Sequence, residues 1–293
     1  MLRMLRQPET HTQEEVVSLQ GSEGRIAKIG RLLLWEGRVS RGRLITKFDL
    51  SDTRASEWLR EFREAFPDWT RWDAKRRAYI ATPLAYKRAE DLGRDTITPM
   101  LAEMLTPYAG PGPVEPGVVP WEFHQPSPLT FSRLNIAIAD RLQVQVVYRS
   151  MTHPAAHPRT IEPHSLMLAG RRWHVRGCCI ETSCFRDFVL GRMSDVRVLP
   201  TPRTVDPGTD TAWATIVRVR FVAHPKLTPE QQLVVRDEFF RGTGARIESC
   251  RGALVSHMIQ ELRAAIDIER QAPPDYQLAV DNIKECRPWL VPN

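Results

Sequence analysis

The chain has 293 residues, 42% of them hydrophobic and 26% charged, with 41 basic against 35 acidic side chains. That composition suits folded domains and excludes wholesale disorder, and at ~150 residues per domain the length predicts two or three. No run approaches the ~18 apolar residues of a membrane span, and residues 1–22 lack the apolar core of a signal peptide, so no membrane partner and a cytoplasmic location are expected.

Five cysteines without regular spacing argue against a disulfide scaffold. The charge is uneven. Residues 23–95 hold 17 basic and 12 acidic side chains, and residues 127–205 hold 11 and 5. Residues 96–126 hold no cation, and residues 206–293 are close to neutral with 11 and 12. Of the 41 cations 35 are arginine, whose planar bidentate fork suits phosphate and base edges.

Residues 1–22 are polar and expected to fray. From 25 the pattern reads helix, helix, helix, hairpin. Ile26, Ile29 and Leu33 mark an amphipathic first helix, and Gly37 is its predicted stop. Ser40 caps a short second helix carrying Leu44, Ile45 and Phe48. Ser51 caps a third, with Asp52 in its first turn and Ala55, Leu59, Phe62 and Phe66 as its buried stripe. Two short aromatic runs follow, Trp69–Asp73 and Ala78–Thr82, joined by the basic turn Ala74-Lys75-Arg76-Arg77.

A tight turn before a third helix and a basic hairpin after it predict a winged helix-turn-helix over 23–95. Such a helix fits the major groove and presents its exposed N-terminal face to base edges. That face is Ser51, Thr53, Arg54, Ser56 and Glu57, with Arg60 further along. Lys75, Arg76 and Arg77 on the wing are placed along the phosphate backbone or in the minor groove, and Arg41 and Arg43 on the second helix against the adjacent strand. The alternative for the same residues is a small helical bundle for protein contact with solvated charges.

Residues 107–128 contain seven prolines and three glycines, which places a connector at 96–127. A helix is predicted at 129–141. Strand-like runs follow at 143–149, 161–169, 171–180, 185–193 and 196–199, a pattern for a small, strongly bent antiparallel barrel over 128–203. Alternation puts Arg172, His174 and Arg176 on one face and Trp173 and Val175 on the other. The same rule gives Arg186, Phe188, Leu190 and Arg192 a common face. Arginines beside an aromatic, with His164 and Ser165 on a neighbouring strand, compose a candidate polyanion site with a stacking platform. The plainer alternative makes Tyr148, Trp173 and Phe188 barrel core and the arginines solvated edge.

These residues carry a resemblance. Tyr148, the Arg159-Thr-Ile-Glu-Pro-His-Ser-Leu run, the Trp173-His174-Val175 triplet and the Phe188-x-Leu-x-Arg192 run together resemble a WYL domain. In that family the triplet ordinarily reads Trp-Tyr-Leu. The resemblance implies an Sm-like β-barrel preceded by a winged helix-turn-helix and followed by a smaller extension domain. It also implies a ligand site, for which the candidates here are Tyr148, Arg159, His164, Ser165, Trp173, His174, Arg186, Phe188 and Arg192.

Residues 204–293 read as a small α+β unit. Val217, Val219 and Phe221 alternate with Arg218 and Arg220 on a half-buried strand. Leu227–Phe240 is a helix capped by Thr228, Arg246–Cys250 a second strand, and Ala253, Ile259, Leu262 and Ile266 mark a further helix. Dimerisation or packing on the barrel is its expected role. The Phe221–Gln231 run and the Arg287-Pro-Trp-Leu ending are similar to compact homodimeric regulators beside phage-defence operons, of the BrxR and CapW type.

The whole is thus expected to be an α+β, multidomain regulator. The resemblance implies a homodimeric repressor on double-stranded inverted-repeat DNA, relieved by an anionic effector such as single-stranded nucleic acid or a nucleotide. Two alternatives share the parts: a ligand-dependent activator, and an Sm-like RNA-binding protein. No enzyme, cofactor or metal is expected. His174, Cys178, Cys179 and Cys184 lack a zinc-ligand spacing, Gly110-Pro-Gly-Pro is no dinucleotide loop, and no Walker motif or nucleophile elbow occurs.

Overall fold

The computed structural model describes residues 13–91, 126–169 and 172–290, with side chains of the first stretch described from 24 to 88. The predicted connector, apart from its last two residues, lies outside them. The described chain forms two compact units: residues 13–91 with 127–136, and residue 126 with 137–290.

In the first unit, helix α1 (Gln13–Glu36) begins well before the amphipathic stretch at 26–33 and takes in residues 13–22, which were expected to fray. Gly37, at φ +71°, ends it, and a side chain there would collide with Ile136. A two-residue strand β1 (Arg38–Val39) follows, too short to leave a periodic signal. Helix α2 (Arg41–Phe48) is capped by Ser40, whose hydroxyl accepts from the Arg43 N–H, and stops at left-handed Asp49.

Helix α3 (Asp52–Ala65) starts at Ser51, which accepts from the Arg54 N–H at 3.3 Å. Strands β2 (Thr70–Asp73) and β3 (Ala78–Ala81) form the hairpin, and the sheet runs β1-β3-β2, wholly antiparallel. Ile29, Leu33, Leu44, Ala55, Leu59, Phe62 and Trp69 share one core. This is a winged helix-turn-helix. Helix α4 (Pro83–Asp91) comes next. The first turns of α5 (Pro128–Asp140) join this unit: Phe131 meets Trp35 edge-on at 4.5 Å, and the Tyr86 and Ser132 hydroxyls lie 2.8 Å apart.

The second unit opens with strands β4 (Leu142–Tyr148), β5 (His157–Ala169), β6 (Arg172–Cys179), β7 (Cys184–Val189) and β8 (Met193–Pro202). Their antiparallel order is β7-β6-β5-β4-β8. Among the described residues no ladder joins the two edge strands, so the sheet stays open and no closed barrel is seen. Gly177 is obligatory in β6, because a Cβ would lie 2.5 Å from the Glu162 carbonyl oxygen of the neighbouring strand.

One strand is shorter than predicted. After Val189 the chain turns through a 3₁₀ segment, Leu190–Arg192. Strand alternation therefore stops there, and Arg192 does not inherit the face of Arg186 and Phe188.

The chain continues through α6 (Thr211–Ala214), β9 (Ile216–Ala223), α7 (Pro229–Phe240), β10 (Arg246–Arg251), α8 (Val255–Glu261), β11 (Ala264–Ala265), β12 (Leu278–Val280) and α9 (Ile283–Cys286). The second sheet runs β10-β9-β12-β11. Thr228 and Gln231 cap α7 reciprocally. The helix predicted from Ala253 to Ile266 is shorter: it ends at Leu262, left-handed Arg263 follows, and Ile266 lies beyond β11. Strand β12 was not foreseen. Its three residues are all buried, so they show no alternation. Among the described residues no helix is long and apolar enough to cross a membrane.

Candidate functional site

Helix α3 turns Ala55, Leu59 and Phe62 inward and leaves Thr53, Arg54, Ser56, Glu57 and Arg60 exposed. The two candidate serines are already engaged: Ser51 in the cap, and Ser56 donating to the Asp52 carbonyl at 2.9 Å. Arg41 pairs with Asp52 at 3.1 Å, both of them exposed. Arg43 is held differently. Its guanidinium donates to Glu36 at 2.9 and 3.0 Å, half-buried, and that bond raises its pKa further. Arg60 lies 3.8 Å from Glu64 across the helix surface. Arg54 has no ion-pair partner among the described residues.

The wing exposes Lys75, Arg76 and Arg77 in a turn closed by left-handed Arg77. Arg76 donates from both backbone and side chain to Asp73, which holds that carboxyl below its ordinary pKa. Just before the turn stands Trp72, 51% exposed, with its ring 4.9 Å from Tyr79. The Arg63 guanidinium covers the Tyr79 ring at 4.8 Å. Sequence reading had placed these aromatics in strands without seeing the stack.

Eight of the nine candidates lie on the β4–β8 sheet and divide between its two sides, while Arg192 stands in the 3₁₀ turn between β7 and β8. On one side Tyr148 and Phe188 meet edge-on at 5.2 Å, and the Tyr148 hydroxyl accepts from the Val189 N–H. Both are buried among Val144, Val146, Ile161 and Val175. Trp173 shares the parity of Val175 and is half-buried. Arg186 is exposed opposite Gly177, and Arg159 pairs with Val146.

On the other side His164, Ser165, His174 and Arg176 gather under the segment that leads to β9. The His164 ring lies 2.9 Å from the Ser165 hydroxyl through Nδ1 and 3.1 Å from Asp210 through Nε2. Arg176 is the hub. Its Nε and Nη2 donate to the two Asp210 oxygens at 2.6 and 2.8 Å, and its Nη1 donates to Asp187 at 2.7 Å. Asp187 in turn lies 3.8 Å from His257, whose ring lies 5.0 Å from that of His174 with the two planes tilted by 51°. Phe185 and Trp213 stand edge-on to His164 at 5.8 and 5.6 Å.

Residues 21–88 match the model of the BrxR transcriptional regulator winged helix-turn-helix domain, and residues 130–198 match the WYL domain. Residues 216–286 match the BrxR transcriptional regulator C-terminal dimerization domain. The DNA-binding transcriptional repressor CapW of Stenotrophomonas maltophilia is 30% identical over 281 residues, 92% of each chain. The chain belongs to the BrxR/CapW family. CapW of Pseudomonas aeruginosa is 29% identical over 276 residues, 91% of each chain, and that of Escherichia coli (strain KTE188) 30% over 275, 90% of each.

Within this BrxR/CapW frame the buried network spans three stretches. His164, Ser165, Arg176 and Asp187 lie inside the WYL match, His257 inside the C-terminal match, and Asp210 between them. Arg176 was placed on the correct face by alternation but not counted as a site residue. Asp187, Asp210 and His257 were missed. Asp187 stands between two candidates, Arg186 and Phe188, and its isolation as an acid in a basic block was the available signal.

The network should make the second unit acid-sensitive. Burial, and then His257, push His174 down to about 4. Burial lowers His164 as well, against the opposing pull of Asp210. In the unfolded chain such rings protonate near ~6.5. Their stabilisation is therefore complete above that pH and fades as the pH falls toward 4. Burial raises Asp187 and Asp210, but the nearby His257 ring and the bonds from Arg176 outweigh it at Asp187, and the bonds from Arg176, Trp213 and His164 outweigh it at Asp210, so both are held below the usual carboxylate range. Their contribution fades at lower pH still. After allowance for screening, His174 alone accounts for ~2 kcal/mol. Urea midpoints of the second unit should drop from pH 7.5 to 4.5, and His174→Gln should flatten the drop. Equal midpoints across that range would refute the assignment.

Proposed function

We propose that this chain is a sequence-specific DNA-binding transcriptional repressor, acting as a homodimer and relieved by an anionic effector on its WYL domain. The observation that carries the reading is the exposed polar face of α3, with Arg54 free of an ion pair among the described residues, beside a wing bearing Lys75, Arg76 and Arg77. Such a helix reads base edges while the flanking cations fix the register on phosphates. The family match supports repression, and the C-terminal match supports the dimer. Helix α7 there exposes Leu233 and Val234 at 57% and 63%, an apolar pair suited to a second copy.

The working modules are 23–95 for DNA, 128–203 for sensing, with an Sm-like sheet, and 204–293 for pairing. Two recognition helices about one helical turn apart, roughly 34 Å, match an inverted repeat. The effector is a nucleic-acid fragment or nucleotide, and the regulated genes are an anti-phage defence operon. Footprinting of the effector-free protein on the intergenic DNA upstream of its own gene tests this. A protected palindrome, with binding to scrambled DNA weaker by ~10³ or more, is expected. Equal affinity for both sequences refutes it.

A further inference from the structure

The contacts around Asp210 describe an anion seat with an occupant already in it. Three donors converge on one carboxylate: the Nε–Nη2 edge of Arg176, the Nε2 of His164 and the Trp213 N–H at 3.2 Å. The two side-chain donors belong to the sensing sheet. The carboxylate belongs to the segment that leads out of it. Arg176 does not need Asp210 for its orientation, because its remaining nitrogen is fixed by Asp187 at 2.7 Å. An arginine fork recognises carboxylate and phosphate oxygens in the same bidentate manner.

We propose that this seat is the phosphate subsite of the effector and that Asp210 is its resident competitor. The inference rests on the proposed anionic effector and adds where the anion sits and what it must displace. Charge narrows the chemistry. Arg176 faces two carboxylates, so the cluster already carries one excess negative charge while His164 and His174 are neutral. A phosphodiester, singly charged, replaces Asp210 like for like. A dianionic phosphate monoester brings a further charge beside Asp187. The subsite therefore takes a diester of a short single strand, with Phe185 and Trp213 as the neighbouring rings.

Displacement has a mechanical result. Asp210 caps α6 through the Trp213 N–H, and Trp213 is clasped by Arg251 of β10, which stacks on its ring at 4.7 Å and donates to its carbonyl at 2.6 Å. Releasing Asp210 frees the start of α6 from the sheet and loosens the path to β9 and β10. The effector thereby prefers a state with a different junction to the pairing domain, the differential affinity that a ligand-driven change requires.

The test uses the full-length protein, the thymidine tetranucleotide without terminal phosphate, and Asp210→Asn. That variant retains a capping oxygen and leaves the Arg176–Asp187 pair neutral, so it is expected to fold, as a melting curve will show. It should bind the tetranucleotide at least tenfold more tightly than the wild type. In the wild type, saturating tetranucleotide should speed amide exchange at 211–215. Tetranucleotide affinity unchanged or weakened in the variant, or slowed exchange on binding, overturns the inference and leaves the effector reading standing. Failure of both proteins to bind overturns the two together. Inorganic phosphate binding the variant as tightly as the tetranucleotide overturns the assignment to a diester.

Discussion

Replacing Arg176 by methionine is expected to cost about 3–5 kcal/mol, enough to unfold the second unit under mild conditions. The guanidinium is buried, 6% exposed as a residue, and serves two carboxylates at once. Methionine fills much of the volume but leaves Asp187 and Asp210 in a dry site without a counter-charge. Among the described residues Asp210 would retain His164 and the Trp213 N–H, and Asp187 would retain His257. Urea unfolding followed by tryptophan fluorescence measures the loss. The triple variant Arg176→Met, Asp187→Asn, Asp210→Asn should regain most of it, because it removes the stranded charges as well as their partner. A single variant as stable as the wild type would show that the cluster is hydrated and of little consequence.

Charge reversal at Arg54 is expected to weaken operator binding by at least ~100-fold, equivalent to about 2.7 kcal/mol, with little change in folding. Arg54 sits one residue from buried Ala55 but points to solvent, where substitutions ordinarily shift stability by no more than ~0.5 kcal/mol. The Arg54→Glu protein should melt like the wild type and remain a dimer in sedimentation. Arg43→Glu is a poorer probe of the interface, because Arg43 is clamped to Glu36 and its reversal disturbs the α1–α2 junction first. Retained operator affinity in folded Arg54→Glu protein would remove α3 as the reading element.

The winged helix was legible because its signals are local. Ser40 and Ser51 are true caps, and Ala55, Leu59 and Phe62 keep helical spacing on one buried stripe. The hairpin declared itself through a basic turn between aromatic runs. The sheet was legible as five strands, but its site was legible only in part. Alternation assigned faces correctly along β6, where Arg176 and His174 share a side. It failed after Val189, where a 3₁₀ turn interrupts the period. The partners of Arg176 come from 11 and 34 residues away, and no periodicity links Arg176 to Asp210. Position 210 reads locally as an ordinary helix cap, which it also is. Strand β12 escaped because full burial erases the alternation that betrays a strand.

Glu162 carries a last consequence. It is 1% exposed, and its oxygens take the amides of Thr204 and Val205, the Thr204 hydroxyl and the Gln143 amide. Burial alone would raise its carboxyl, but these donors outweigh it and keep it ionised. The acceptor lies in mid-sheet; most of its donors lie in the stretch that departs from that sheet. Cutting the polypeptide just after 202 would strand an anion in the interior, so the β4–β8 sheet depends for its stability on the stretch that leaves it.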